Sequence, residues 1–259
     1  KLKNMLSKAE IKRLSRYKQS KFRNQDNLFV VEGEKMLSEL LESEYDIQAI
    51  YAIGQWIEKN RVIIQAKGIA NRTIEISEDD LERISLLSTP NQVYSLVKIP
   101  QEEILKQQKG LTIVLDGIKD PGNLGTIIRL ADWYAIENII CSQDCVDVYN
   151  PKTVQSTMGS IFRVKVKYLD LQEYLQSLPS NHAIYGSIVE GGENIYTKHF
   201  QENSILIIGS ESHGISPEIQ QYVNHKITIP RFRTDNKPES LNASIATAIM
   251  ISEIKRIKK

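Results

Sequence analysis

LTIVLDGIKDPGNLGTIIRLAD, residues 111–132, changes its periodicity halfway along, and that change decides the fold. Thr112 to Leu115 is a short β-branched apolar run ended by Asp116 and Gly117, which reads as a buried strand. Pro121, Gly122 and Asn123 make a turn. From there Leu124, Ile127, Ile128 and Ala131 recur at spacings of three and four, a helix with one buried face. The turn thus lies at the carboxyl end of a strand and the amino end of a helix, where open α/β sheets hold ligands. Asn123 falls at the helix mouth and Arg129 more than one turn inside, between apolar Ile128 and Leu130. Arg129 is either directed at a ligand or a solvated residue in an ion pair.

Downstream the alternation continues, with strands expected at 138–141, 163–167, 183–189, 204–209 and 225–229 and helices at 152–158, 171–178, 217–223 and 241–257. Such alternation implies a mainly parallel sheet covered on both faces. Upstream, Ser7 and Glu10 have capping-box spacing and predict a helix that buries Ile11 and Leu14. Strands follow at 28–31 and 93–99, with helices at 33–41 and from Ser77 through Ile84 and Leu87; 47–52 and 61–66, followed by 73–76, read as further β-like or mixed segments. Residues 1–100 therefore form a smaller α/β domain with its basic leading helix. The polar QEEILKQQKG, 101–110, is a linker, and 111–259 is a second α/β domain.

The 259 residues are 41% hydrophobic and 25% charged, a globular composition, and the formal charge of +1 gives no overall nucleic-acid footprint. The footprint is local. Lys1, Lys3, Lys8, Lys12, Arg13, Arg16, Lys18, Lys21 and Arg23 face a single acid, Glu10, within residues 1–25. That basic stretch is either a phosphate-binding surface, with Lys12, Arg13, Arg16, Lys21 and Arg23 as RNA contacts, or a solvated helix face. Cys141 and Cys145 have no histidine or further cysteine at metal-ligand spacing, so two free thiols and no metal are expected. No apolar run reaches membrane-span length and no signal-peptide core opens the chain, which leads to an expectation of a cytoplasmic protein without a membrane partner. The four histidines are scattered and read as structural or surface residues, and Trp56, Trp133 and Tyr134 as core.

Two further turns stand out. ILIIGSESHGIS, 205–216, runs an apolar strand into Gly209, Glu211 and Gly214, where two glycines let a ligand approach the backbone. It has neither the dinucleotide spacing G-x-G-x-x-G nor the Gly-Lys-Ser/Thr of a phosphate loop, so it fits a ligand such as an adenosine, held by backbone groups. IPRFRTDNKPESLNAS, 229–244, ends in Ser240, Leu241, Asn242, Ala243 and Ser244 at a helix start, where free amide donors are available and an ordinary N-cap is the bland alternative. The helix beyond has many small residues and is a candidate dimer surface as well as core.

Asn123, Gly125 and Arg129 as N-x-G-x-x-x-R, Gly209, Glu211 and Gly214 as G-x-E-x-x-G, and Ile229-Pro230 followed by Ser240-Leu241-Asn242-x-Ser244 resemble the three ordered motifs of the SpoU (TrmH) family of RNA 2′-O-ribose methyltransferases, in the SPOUT superfamily. TVQSTMGSIFRVKV, 153–166, resembles the segment between the first two motifs, and FVVEGEKMLSELL, 29–41, an L30e-like substrate-binding domain. The resemblance implies a carboxyl-terminal SPOUT α/β domain with a parallel sheet and a deep trefoil knot, preceded by the L30e-like domain. It implies S-adenosylmethionine held around Gly209, Gly214, Ile229 and Leu241, with Ser187 and Ile188 contributing, and a homodimer packed through the final helix. It places Arg129, Asn123, Glu211, Ser240 and Asn242 at the catalytic centre. Because arginine holds its proton so tightly, Arg129 is expected to orient the 2′-hydroxyl and adjacent phosphate rather than act as base, with Ser240 holding its guanidinium. The extra domain and basic helix favour a large structured RNA, ribosomal rather than transfer RNA. Alternatives from other classes are a non-catalytic RNA-binding protein on the same fold and a nucleotide-dependent oxidoreductase. The chain departs from the family at Arg231, which follows Pro230 where methionine and then glycine are usual, and in a longer segment up to Ser240; the basic, polar 232–238 is a candidate RNA-contacting loop.

Overall fold

The computed structural model describes residues 5–87, 89–101, 110–232 and 240–256. Most of the linker assigned to 101–110 and most of the candidate loop 232–238 lie outside them. The chain divides into two compact units, 1–101 with 147–162, and 102–146 with 163–259.

In the first unit, β1 (Leu28–Glu32), β2 (Ile47–Ala52), β3 (Thr73–Glu75) and β4 (Val93–Lys98) form a sheet of order β1-β4-β2-β3. β4 runs antiparallel to β1 and β2, and only β2 and β3 are parallel. Around it lie α1 (Lys8–Ser15), α2 (Ser20–Asp26), α3 (Glu34–Glu42), α4 (Gly54–Lys59), α5 (Arg61–Ala66) and α6 (Glu78–Ile84). Ser7 caps α1 as its spacing predicts, accepting from Glu10 N at 3.1 Å, but the Glu10 carboxylate turns to Arg13 and the Tyr51 hydroxyl. The β-like reading of 61–66 is corrected to helix: one side buries Ile64 while Val62 is left exposed, a one-sided burial that overrides the β-branched pair Val62-Ile63. Residues 147–162, with α8 (Pro151–Thr157), pack here too. Tyr149 meets Phe29 at 4.7 Å between ring centroids, and the Tyr45 hydroxyl donates to Ile161 O at 3.1 Å.

In the second unit, β5 (Leu111–Asp116), β6 (Asn138–Cys141), β7 (Lys165–Tyr168), β8 (Ala183–Ser187), β9 (Glu193–Asn194), β10 (Ser204–Gly209) and β11 (His225–Thr228) make a sheet of order β7-β6-β5-β10-β8-β11-β9. Every pairing is parallel. β5 is buried along its whole length, as a central strand covered on both faces must be. On one face α9 (Leu171–Gln176) and α10 (Pro217–Gln220) bury Leu171, Leu175 and Ile219 against Val114, Ile140, Ile184 and Ile207. α11 (Ala243–Arg256) packs on α7 (Pro121–Trp133) and on β10. Each fully buried aliphatic contributes about 1.5–3 kcal/mol. The strand order reverses between β5 and β10, so the loops leaving β5, β8, β10 and β11 all emerge at one end of the sheet, beside a topological switch point.

Candidate functional site

The site is built on strand ends. Asp116 closes β5, and its carboxylate, though buried, accepts Ser216 N at 2.7 Å, which ties the turn after β5 to the turn after β10. Asp120 then caps α7, accepting Asn123 N at 2.8 Å, with Pro121 at the first helical position. The sequence reading gives Asp116 only as the end of the strand and passes over Asp120, although Asp-Pro before a helical pattern is an N-cap signature.

After β10 the chain makes a tight turn, with Ser210 and Gly214 exchanging backbone bonds of 3.0 and 2.9 Å. Gly214 has φ +68°, and an ideal Cβ on Gly209 would fall 2.0 Å from Gly214 C, so the turn closes directly against β10. After β8, Ile188 N donates to Ile227 O and Thr228 Oγ1 donates to Ile188 O, both at 3.0 Å, pinning that loop to the end of β11.

These loops enclose a cavity of about 390 Å³. Ser187 and Ile188, Gly209, Glu211 and Gly214, and Ile229, Ser240 and Leu241 all line it, so every residue expected to hold the cofactor, and two of the five expected at the catalytic centre, face one space. Phe232, 87% exposed and the first residue of the candidate loop 232–238, stands among its walls, as does Val189, which the sequence reading placed only at a strand end. Asn123 joins this wall through side chains: its Nδ2 donates to Glu211 Oε1, and its Oδ1 accepts from Asn242 Nδ2 at 2.9 Å. Asn242 Oδ1 in turn accepts from Ser244 N at 3.0 Å, Ser244 Oγ at 2.7 Å and Ile245 N at 3.2 Å, capping α11. The donors fix both amide orientations, so the bonds run one way, from the start of α11 through Asn242 and Asn123 to the Glu211 carboxylate.

Arg129 is placed apart. It is exposed, does not line the cavity, and forms no hydrogen bond or ion pair among the described residues. Six residues along a helix turn it about 120° from Asn123. The expected grip of Ser240 on its guanidinium is therefore not made, and Arg129 shares the exposed face of α7 with Thr126 and Trp133. Trp133, expected in the core, is 85% exposed, whereas Trp56 is buried.

The expected RNA contacts of the first unit also separate. Lys12 and Lys21 are exposed. Arg13 pairs with Glu10 at 2.7 Å, and Arg16 pairs with Asp26 while stacking over Phe22 at 5.0 Å. Arg23 is corrected from RNA contact to structural residue. It is 2% exposed, donates to Tyr17 O at 2.8 Å and Lys18 O at 3.0 Å, and pairs with Asp147.

Asn123→Asp would set a second carboxylate against Glu211. Like charges raise the affinity of such a pair for one proton, and the protonated acid can donate as the amide did. Activity at this site is expected to fall roughly 10–100-fold at neutral pH, the equivalent of one charge-assisted bond, and to recover partly as pH is lowered. Rate–pH profiles of the two proteins check this; superimposable profiles would remove the network from the chemistry.

The cavity lies within the ~300–1,000 Å³ span of small-molecule sites. Its apolar walls and glycine turn without a phosphate cradle fit S-adenosylmethionine, an adenosyl group on a cationic sulfur. No group of three or more His, Cys, Asp or Glu side chains that could hold a metal ion occurs among the described residues, and no described helix is long and apolar enough to cross a membrane.

Residues 110–252 match the SpoU rRNA Methylase family, and residues 8–95 match the MRM3-like substrate binding domain. The Bacillus subtilis 23S rRNA (guanosine(2553)-2'-O)-methyltransferase RlmP is 26% identical over 236 residues, 91% of each chain. A structure from Porphyromonas gingivalis, described as an RNA methyltransferase of the TrmH family, is 32% identical with a TM-score of 0.85, over 98% of this chain and 100% of that one. An AdoMet-bound rRNA methyltransferase from Sinorhizobium meliloti shares the fold, with a TM-score of 0.86 at 23% identity, over 99% of this chain and 98% of that one.

Proposed function

The chain belongs to the SpoU rRNA methylase family and is an S-adenosylmethionine-dependent RNA 2′-O-ribose methyltransferase, and from that premise we propose how its residues divide the work on a ribosomal RNA. When bound, S-adenosylmethionine supplies a methyl group activated by its sulfonium, so the protein's task is to position a ribose hydroxyl in line with it. We assign cofactor binding to the cavity, with Ile188, Ile229 and Leu241 as apolar walls and the Gly209–Gly214 turn as backbone wall. The observation that carries this reading is the bond chain Asn242–Asn123–Glu211, which joins all three motif turns at the rim of that cavity. Arg129, a cation without a partner among the described residues, is free to take the RNA phosphate and orient the 2′-hydroxyl by charge-assisted bonds.

We assign RNA recognition to residues 1–100, the substrate-binding domain, and methyl transfer to 111–259, of which 147–162 folds as part of the first unit. The relatives named above support ribosomal RNA, and shape and phosphates are what such a domain reads. Lys12 and Lys21 are open to phosphates where the arginines are not. Replacing both with alanine is expected to weaken RNA binding and to flatten its salt dependence by about two in log–log slope, one for each phosphate left without its lysine. Arg23→Ala should leave that slope unchanged and cost about 1–3 kcal/mol of stability, since it leaves Tyr17 O and Lys18 O without their donor. Filter binding from low to high salt, with thermal melts, separates the two; an unchanged slope in the lysine variant removes α1 and α2 from the RNA surface.

We further infer a homodimer through α11, supported by Ile245, which that helix leaves 52% exposed. A trefoil-knotted thread is inferred from the family, and a cytoplasmic site of action from the bacterial relatives. Mapping 2′-O-methyl marks in ribosomal RNA from cells with and without the gene tests the function: one missing mark is expected, and an unchanged map with intact cofactor binding would overturn the ribosomal assignment.

A further inference from the structure

The two cysteines sit under the first motif turn and are unused by the chemistry above. Cys141 ends β6 opposite Leu115 of β5 in the ladder, and Ser142 O accepts Cys145 N at 3.1 Å, so the chain bends back and returns Cys145 to the same point of the sheet. There Cys145 Sγ donates to Leu115 O at 3.4 Å, so both cysteines meet at one residue of β5. Cys145 Sγ also accepts Ile118 N at 3.2 Å, while Val146 N donates to Ile118 O at 2.8 Å and Ser142 Oγ accepts Gly117 N at 2.9 Å. The segment that leads from β5 to the Asp120 cap of Asn123 is thus strapped down by the Ser142–Val146 turn, with a sulfur as one of its anchors. The neighbouring Cys141 thiol lowers the proton affinity of the Cys145 thiol, and Cys145, with burial, raises that of Cys141. Cys145 is 8% exposed and Cys141 is fully buried.

We propose that Cys141 and Cys145 are a reversible dithiol–disulfide couple, and that closing the disulfide releases the 117–120 turn and lowers methylation. The oxidant is a small-molecule disulfide. The Cys145 thiolate attacks one of its sulfurs and releases one small thiolate; Cys141 then attacks Cys145 Sγ, breaking the mixed disulfide and releasing the second. The two hydrogens of the cysteine thiols end on the two small thiols. Bonding to Cys141 turns Cys145 Sγ away from Ile118 N and leaves a buried amide without its acceptor. The effect on methylation rests on the function proposed above; the couple does not.

The test treats the full-length protein with 2-hydroxyethyl disulfide. Intact mass is expected to fall by two hydrogens, iodoacetamide uptake after denaturation to drop from two groups to none, and trypsin to gain access at Lys119. Methyl transfer should fall about ten-fold, the size of one broken buried hydrogen bond, and return on treatment with a phosphine reductant. Cys141→Ala should keep basal activity and stop at a mixed disulfide on Cys145, and Cys145→Ser, whose hydroxyl can still accept Ile118 N, should ignore the oxidant. A wild-type protein that keeps both thiols, or carries only small-molecule adducts, overturns the couple. A disulfide that forms without new cleavage at Lys119 overturns the release of the turn, whatever the assay on RNA shows.

Discussion

Arg129→Ala is expected to lower methyl transfer by roughly 10²–10³-fold or more, the loss that follows removal of one preorganised donor from a developing charge. S-adenosylmethionine affinity should stay nearly intact, because Arg129 lies outside the cavity and braces none of its walls. It is exposed and makes no internal bond among the described residues, so its removal should also leave the melting temperature within about 1 °C. A change in kcat with unchanged cofactor Kd and Tm therefore distinguishes a residue that meets RNA from one that holds the fold. Arg129→Lys should rescue little, since a point charge cannot make the forked contact to phosphate. If cofactor affinity and activity fall together in a binding titration, Arg129 is a structural residue and the assignment fails.

Gly209→Ala should be the most damaging single methyl in the second unit. Its Cβ would lie 2.0 Å from Gly214 C, 2.2 Å from Gly214 O and 2.2 Å from Ile215 N, all backbone atoms that no rotamer change can move. Opening the turn would break the paired Ser210–Gly214 bonds and disturb the Asp116–Ser216 tie behind it. The expected cost is about 3 kcal/mol, a fall in Tm on the order of 10 °C, with cofactor binding abolished. Gly214→Asn is the control. Gly214 has φ +68° but open space around it, so a residue that tolerates the left-handed region should cost only about 1 kcal/mol there. Equal tolerance of both substitutions would show that the turn is not a fixed wall of the site.

Much of the architecture was readable because period and punctuation agreed. The switch at Leu124 located α7, Ser7 and Ser77 both cap the helices their spacing announced, and the apolar run 204–209 became a strand buried between two others. Arg61–Ala66 misled because a β-branched run carries no record of which side will be covered, and tertiary packing made that choice. At the site, residue types were legible and their partnerships were not. Asn123, Glu211 and Asn242 could be named, but that the amides hand a hydrogen bond to the carboxylate depends on rotamers set by three separate elements. The separation of Arg129 from Asn123 was available from helical geometry, since six residues do not return to the same face. Arg13, Arg16 and Arg23 looked like one basic surface with the lysines because a charge count cannot see Asp26 or Asp147 folding back upon them.

The order of the second sheet has a consequence for how the molecule is made. β10 fills the gap between β5 and β8, with Ser204 in register with Leu111 and with Ala183. Until the ribosome has released 204–209, a nascent chain holds two apolar strands with open edges and no strand to join them, the condition under which chains pair wrongly with one another. Every wall of the cavity contributed by β10, β11 and α11 arrives after that moment, so the cofactor cannot guide the early steps, and closure of the sheet must wait on a pairing distant in sequence. Slow acquisition of protease resistance, and dependence on chaperones during synthesis, follow from the placement of that one strand.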